Sequence, residues 1–437
     1  MSEPAVTSAS ASAPVVVAGA SMAGLRAAEQ LRAAGWRGPV VLVGDEPHMP
    51  YNRPPLSKEA LAGDASFASL ALRPRASVSD VRWRLGTRVV GADLDRRTVE
   101  LGNGETLSYG GLVVATGMRS RRLPWPGPVH GRHTVRTLAD ARGLRAALNR
   151  PGGRVVVIGA GFIGCEVAAT ALALGAAEVT AVDPLPLPMV GPLGELLAKV
   201  LLDRHERRGV RFALGTQVTG FEGDDRVTGV VLADGTVIEA DVVVESVGSV
   251  ANTEWLDGNG LDLTDGVLTD EHLRVGGRPD VVAVGDIARF PNARYDEVAR
   301  RVEHWSIPTD TAKHAARVLA AHLTGTGSGI GTGSGTGTGS GTGTDIAFAP
   351  FAPLPTFWSD QHDFRLQSFG APVLGKDDVR VLDGDPDGDF LAGFHRGGTL
   401  VGVVSIGGRS TSAATARHRA ELLAQPARAA GPAGEQQ

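Results

Sequence analysis

The sequence predicts an α/β fold: two parallel-sheet units in series, then a smaller C-terminal domain of α+β character. Three observations carry this. A strand–glycine turn–helix–strand pattern occurs twice, its strands read as continuous apolar runs, and a Gly/Thr tract separates both copies from the rest of the chain. In the first copy Pro14–Ala18 is a strand, Gly19-Ala20-Ser21-Met22-Ala23-Gly24 a turn, and Leu25–Ala34 a helix closed by Gly35. The strand Val40–Val43 then ends at Gly44-Asp45-Glu46. In the second, Arg154–Ile158 leads into Gly159-Ala160-Gly161-Phe162-Ile163-Gly164. A helix over Cys165–Leu174, Gly175 and a strand over Glu178–Val182 follow, ending at Asp183. Apolar strands bounded by glycines and joined by helices belong to parallel sheets buried on both faces.

From Gly325 to Gly343 every second residue is glycine, with small residues between. Such a stretch has nothing to bury and reads as a flexible linker. The Ala/Ser-rich start (residues 1–13) and the Ala/Gly/Pro-rich tail (424–437) read as disordered. The 437 residues carry 43 Lys+Arg against 48 Asp+Glu, a formal charge of −5, which argues against nucleic acid as the main partner. The single cysteine, Cys165, excludes an intramolecular disulfide, a Cys-x-x-Cys redox centre and a protein-ligated iron–sulfur cluster. It lies in the first turn of a helix, where the macrodipole lowers a thiol pKa, but with no partner thiol it reads as structural filler. Histidine spacing offers no metal motif. No signal peptide or apolar run of about 18–20 residues is present, so the expectation is a cytoplasmic protein with no membrane contact.

Each glycine in such a turn has its own task. The first allows the tight turn, the second lets a pyrophosphate approach the backbone, and the third lets helix and strand pack closely. The helix N-terminus meanwhile offers N–H donors to phosphate. Gly159, Gly161 and Gly164 meet the pattern, and Asp183, 19 residues beyond Gly164, can accept from ribose hydroxyls. Between Asp183 and Lys199 there is no basic residue, so nothing local neutralises a 2′-phosphate, and Asp183 favours NAD(H) over NADP(H). In the first copy Ser21 replaces the middle glycine, and the acid is Asp45 or Glu46. Both units are thus Rossmann-like dinucleotide-binding domains.

Several motifs in order resemble one family. They are Val15–Lys58 with Gly44-Asp45-Glu46-Pro47 and Pro50-Tyr51-Asn52-Arg53-Pro54-Pro55-Leu56-Ser57-Lys58, then Ala115-Thr116-Gly117, Gly159–Glu166, Ala283-Val284-Gly285-Asp286, Glu303-His304-Trp305 and Phe357-Trp358-Ser359-Asp360-Gln361. The chain resembles the FAD-dependent, pyridine-nucleotide-linked ferredoxin reductases, of the putidaredoxin, rubredoxin and dioxygenase ferredoxin reductase type. The resemblance implies a glutathione-reductase-like arrangement. An FAD domain occupies 14–122 and 250–323, an NAD domain 123–249, a linker 324–344, and a C-terminal α+β domain 345–423.

The resemblance also implies site residues. FAD would be held by Gly19, Ser21, Ala23, Gly24, Asp45, Glu46, Arg53, Lys58, Val89, Ala115, Thr116, Gly117, Arg136, Asp286 and Trp305, with Arg121, Arg122 and Arg132 as alternatives to Arg136. NAD(H) would be held by Gly159, Gly161, Phe162, Ile163, Gly164, Glu166, Asp183 and Gly248. Lys58 would lie beside the flavin and pair with Glu166, which borders the nicotinamide, and Trp358 would line the flavin; for either tryptophan, core packing is the plain alternative. Thr309-Asp310-Thr311-Ala312-Lys313 departs from the Gln-Gly type of sequence expected at this helix start, so Asp310 would oppose extra negative charge on the flavin.

The implied activity is NADH:ferredoxin oxidoreduction. Hydride passes to FAD, then single electrons pass to a small iron–sulfur ferredoxin that supplies a P450-type monooxygenase or ring dioxygenase. Arg73, Arg75, Arg300 and Arg301 are candidates for docking an acidic ferredoxin, and the chain is expected as a monomer or weak homodimer. Two other readings stay open: an NADH oxidase or monodehydroascorbate-type reductase, and an apoptosis-inducing-factor-like NADH sensor.

Overall fold

The computed structural model describes residues 13–63, 66–149, 152–326, 348–408 and 412–425. The N-terminal segment before Ala13, nearly all of the Gly/Thr tract and the tail after Gln425 lie outside the described residues. The first domain contains β1 (Val15–Ala18), α1 (Met22–Ala33), β2 (Val40–Gly44), β3 (Arg82–Leu85) and β4 (Gly111–Val114). The second contains β5 (Arg132–His133), β6 (Arg154–Ile158), α2 (Phe162–Ala173), β7 (Glu178–Asp183), α3 (Val190–Glu206), β8 (Val210–Leu214) and β9 (Val242–Glu245). The chain then returns to the first domain with β10 (Val281–Ala283) and α4 (Ile307–Thr324).

Each of these two domains is centred on a five-stranded parallel sheet, ordered β10-β4-β1-β2-β3 and β8-β7-β6-β9-β5, with smaller sheets beside it. Every residue of β1, β2 and β4 is buried, as strands covered by helices on both faces must be. β10 pairs with β4 although the whole second sheet intervenes in sequence. The two chain crossings run side by side as an antiparallel ribbon, Met118–Ser120 against Ser249–Ala251.

Three helices begin earlier than the sequence reading. α1 and α2 start inside their glycine turns, at Met22 and Phe162, so the last residues of each turn are already the first helical turn. α4 begins at Ile307 because Pro308, with φ fixed near the helical value, suits the first turn.

The C-terminal domain comprises β11 (Thr356–Gln361), β12 (Phe364–Gly370), β13 (Val379–Gly384), β14 (Phe390–Arg396), β15 (Thr399–Gly407) and α5 (Ala413–Ala424). Its sheet is antiparallel, ordered β11-β12-β15-β14-β13. Phe364, Leu366, Phe394 and Ile406 share one apolar core with Leu193, Leu197 and Leu201 of α3. Each such buried side chain contributes roughly 1.5–3 kcal/mol, which holds the second and third domains together. A separate core joins Tyr51, Leu56 and Leu61 of the first domain to Leu138, Val167 and Ala171 of the second. The segment carrying Ser57 and Lys58 is thereby pressed onto α2.

α3 is interrupted at Gly194, whose φ is +71°, and a Cβ there would lie 2.3 Å from the Lys376 carbonyl oxygen. Gly194→Ala should therefore lower the melting temperature by several degrees, since the left-handed conformation alone costs about 1–2 kcal/mol. Gly191→Ala, where a Cβ meets nothing within 4 Å, should leave it unchanged. Equal melting temperatures would contradict the close approach of α3 to the C-terminal domain.

Candidate functional site

The two glycine turns solve the same backbone problem. Gly19 and Gly159 have φ of +124° and +100°, and a Cβ on them would lie 2.1 Å from Ala115 O and 2.2 Å from Ser246 O. Gly24 and Gly164 touch the turn itself, each with a Cβ position 1.9 Å from the oxygen of Gly19 or Gly159. The middle residue differs. Gly161 has nothing within 4 Å of a Cβ position, and Ser21 at the equivalent place makes no side-chain cap. Neither helix has a capping side chain or a first-turn acid, so both N-termini keep N–H donors for phosphate. The residues present fit a dinucleotide pyrophosphate at each turn.

The acids after the second strands are not equivalent. Gly19 N–H donates to Val43 O and Gly159 N–H to Val182 O, so Gly44 matches Asp183 in register and Asp45 follows one residue later. A side chain at Gly44 would strike Ala20, with a Cβ position 2.5 Å from its Cβ. Asp183 accepts from the N–H groups of Ala160 (2.7 Å) and Leu185 (2.8 Å), which fixes its carboxylate at the turn. Asp45 is exposed and pairs with Arg88 at 2.7 Å. Glu46 accepts from Tyr51 Oη and Arg53, both at 2.5 Å. Burial pushes the Tyr51 phenol up to about 12, so it remains a donor.

Arg53 also donates to Arg136 O (2.6 Å), and Arg136 donates to Asp286 (3.1 Å) and to Met118 O (3.2 Å). Asp286 follows β10 in a turn where a Cβ on Gly285 would lie 2.8 Å from the Ala23 Cβ, so this turn packs closely against the first turn of α1. Burial raises its pKa, opposed chiefly by Arg136. Ala115 N–H donates to Ala18 O, Thr116 Oγ1 to Asn252 O, and Gly117 O accepts from Asn252 N–H, tying this strand end to the ribbon. Val89 is buried at the start of its strand in the first-domain core, and Gly248 accepts from Arg121 N–H. Asp310, in the first turn of α4, is half-buried, and burial raises its pKa.

Where the three domains meet, Glu166 of α2 is buried. Its Oε1 accepts from Lys58 Nζ (3.0 Å) and Ser359 Oγ (2.6 Å), and its Oε2 from Ser57 Oγ (2.5 Å). Thr170 Oγ1 donates to Ser57 O at 2.9 Å. Burial raises the Glu166 pKa, opposed by Lys58 and both serine hydroxyls. Ser57 and Ser359 lie inside motifs the sequence reading singled out but received no role there. Their signal was adjacency to Lys58 and Trp358.

Aromatic residues flank this junction. Trp305 is exposed, donates to Asn52 Oδ1 (3.4 Å) and tilts against Trp358 at 5.2 Å, beside a cavity of about 560 Å³ lined by Lys58, Trp358 and Arg365. On the other side Phe162 meets Phe357 edge-on at 4.9 Å, and His304 lies 4.6 Å from Phe357. These three line a second cavity of about 280 Å³ with Tyr295 and Leu374. His304 Nδ1 is buried with no partner among the described residues. Ile163 is exposed at the turn. Cys165 is buried and burial pushes its thiol up, overriding the helix dipole.

The four docking arginines do not form one patch. Arg75 lines a cavity with Arg32, Arg37 and Asp80, whereas Arg300 and Arg301 line the one beside His304. Glu29 offsets Arg75, Asp296 offsets Arg300, and Asp265 and Glu303 offset Arg301. Only Arg73 has no ion pair among the described residues, so the patch expected from sequence is dispersed and largely neutralised.

Residues 13–312 match the family described as pyridine nucleotide-disulphide oxidoreductase, and residues 356–432 match the reductase C-terminal domain. Rhodocoxin reductase of Rhodococcus erythropolis is 37% identical over 399 residues, spanning 90% of this chain and 86% of the relative. Putidaredoxin reductase of Pseudomonas putida is 35% identical over 401 residues, 90% of this chain and 88% of the relative. Among solved structures, the covalent putidaredoxin reductase–putidaredoxin complex aligns with a TM-score of 0.82 and 31% identity, covering 95% of this chain and 94% of that one.

Lys58→Met leaves a buried carboxylate without its cation and should cost about 3–5 kcal/mol at neutral pH. Removing the cation raises the folded-state pKa of Glu166 further, so the folded variant holds a proton that the unfolded chain releases. The deficit against wild type therefore widens as pH rises and narrows as pH falls. Urea midpoints across pH read this, and adding Glu166→Gln should recover part of the loss. A deficit independent of pH would contradict the pairing.

Proposed function

Because the chain belongs to the pyridine nucleotide-disulphide oxidoreductase family and carries a reductase C-terminal domain, we propose that it works as an FAD-dependent NADH:ferredoxin oxidoreductase. Its acceptor is a small iron–sulfur ferredoxin that supplies a P450-type monooxygenase or ring dioxygenase. The observation that carries this is the Lys58–Glu166 pair, which ties the first dinucleotide-binding domain to the helix that begins at the second glycine turn. Relatives at this level of identity include the ferredoxin–NAD(+) reductase component of an anthranilate 1,2-dioxygenase system.

The bound cofactors supply the electron chemistry: hydride from NADH to FAD, then electrons one at a time to the iron–sulfur carrier. The chain supplies position and electrostatics. Ser21, Ala23 and Gly24 would hold the FAD pyrophosphate, with Glu46 or Asp45 toward the adenosine ribose and the Arg136–Asp286 pair toward the ribityl chain. Gly161 and the α2 N-terminus would hold the NADH pyrophosphate, and Asp183 the ribose. Lys58 and Glu166 would fix the nicotinamide against the flavin, with Phe162, Phe357 and Trp358 excluding water. Asp310 would resist extra negative charge at the α4 N-terminus. With one buried cysteine the chain offers no dithiol to carry an electron pair, so the route to the partner is direct. Among the described residues no helix is long and apolar enough to cross a membrane, and operation in the cytoplasm is part of the same proposal.

The test is steady-state electron transfer from NADH to cytochrome c, with and without a 2Fe–2S ferredoxin, with NADPH as the control. A large ferredoxin-dependent rate with NADH and little with NADPH is expected. Asp183→Ser should narrow the NADH preference by about tenfold, or ~1.4 kcal/mol. Equal rates without ferredoxin would instead identify an enzyme with a small-molecule acceptor, and an unchanged preference would remove Asp183 from cofactor selection.

A further inference from the structure

The Glu166 junction does not end at Ser359. Ser359 Oγ accepts from Gln361 Nε2 at 2.9 Å, and Gln361 Oε1 faces His205 Nε2 at 2.7 Å. His205 Nδ1 faces His362 Nε2 at 3.1 Å. Glu166, Ser359, Gln361 and His205 are all buried, whereas His362 sits at the partly exposed β11–β12 turn. A continuous polar line therefore runs from the surface, through the end of α3 and along β11, into the carboxylate.

Its direction is fixed by chemistry. Glu166 needs donors, so the single Ser359 hydroxyl proton goes to Glu166, and Ser359 Oγ must accept from the Gln361 amide nitrogen. That nitrogen also faces Met189 Sδ at 3.8 Å, an acceptor. Gln361 Oε1 then requires a donor on its other side, which His205 Nε2–H provides. Without that donor the amide can turn over. Its oxygen would then take the Ser359 proton, and Glu166 would lose a hydrogen bond. His205 is held for this task edge-on between Phe212 and Phe364, each at 6.0 Å. The charged group acting on it is Arg208, two residues past the end of α3 and itself paired with Asp363 of the turn; His362 faces the ring from the same turn, and Phe212 of β8 covers it. The charged group facing Glu166 is Lys58, with the hydroxyls of Ser57 and Ser359.

We propose that His205 is a positioning residue for Glu166: it orients the Gln361 amide so that Ser359 donates into the buried carboxylate and favours its charged form. The consequence for hydride transfer rests on the reading of Glu166 as part of that site. Burial holds both His205 and His362 down at about 4, so the pair stays neutral at neutral pH, as the line requires.

The experiment is an infrared titration of the FAD-loaded full chain, each protein compared with the same protein carrying Glu166→Gln, so that the Glu166 carboxyl band is isolated. His205→Phe should raise the Glu166 midpoint by about one pH unit, tenfold in the protonation equilibrium, ~1.4 kcal/mol. His205→Gln, whose amide can donate to Gln361, should restore it. Gln361→Met should reproduce the shift and serves if His205→Phe does not fold. An unshifted midpoint in a folded His205→Phe or Gln361→Met overturns the proposal. A shifted midpoint with an unaltered pH profile of flavin reduction by NADH upholds the positioning and removes Glu166 from the reaction, so the two failures read separately.

Discussion

A carboxylate taken out of water must be met by charge and hydrogen bonds, and at Glu166 of the second domain those partners come from both of the others. Burying an unpaired ion costs several kcal/mol. Lys58 and Ser57 arrive on the proline-led turn of the first domain, and Ser359 arrives on the first strand of the C-terminal sheet. The apolar contacts around Leu56 and Leu61, and those of α3 with Phe364 and Phe394, supply the burial that makes these bonds strong. Domain docking and site assembly are thus one event, and a defect in either should be felt in the other.

The two nucleotide-binding units also show how one backbone solution takes on two tasks. Their first and third glycines face almost identical contacts, so those positions are dictated by the turn. The middle position is not dictated by the turn: a Cβ at Gly161 would meet nothing within 4 Å, and Ser21 stands at the equivalent place in the first unit. The acid varies as well. Asp183 lies within its strand register and is pinned by two backbone N–H groups, whereas Gly44 leaves room for Ala20, which moves the acid onward to Asp45 and Glu46.

Local rules made much of this legible. Continuous runs such as Val15–Ala18 and Val155–Ile158 signalled parallel strands, and the glycine spacing marked both turns. Helix starts were read late at Leu25, Cys165 and Thr309, because the turn residues and Pro308 serve as first helical turns. What stayed hidden was long-range. No spacing rule places Ser57 against Glu166, or His205 against Gln361, since those meetings depend on how three domains dock. Cys165 shows the same limit: its position on the helix suggested a lowered pKa, while burial, invisible locally, drives it upward. Charge counting also failed at Arg75, Arg300 and Arg301, because neutralising acids arrive from other segments.

The measurement that bears most directly on this account is anaerobic rapid mixing of the FAD-loaded protein with NADH, comparing wild type with Glu166→Gln at equal flavin content. If the three-domain junction is where the nicotinamide meets the flavin, the variant should reduce its flavin at least about tenfold more slowly, a loss of ~1.4 kcal/mol of transition-state stabilisation. An unchanged rate would contradict the account and leave the buried pair with a purely structural role.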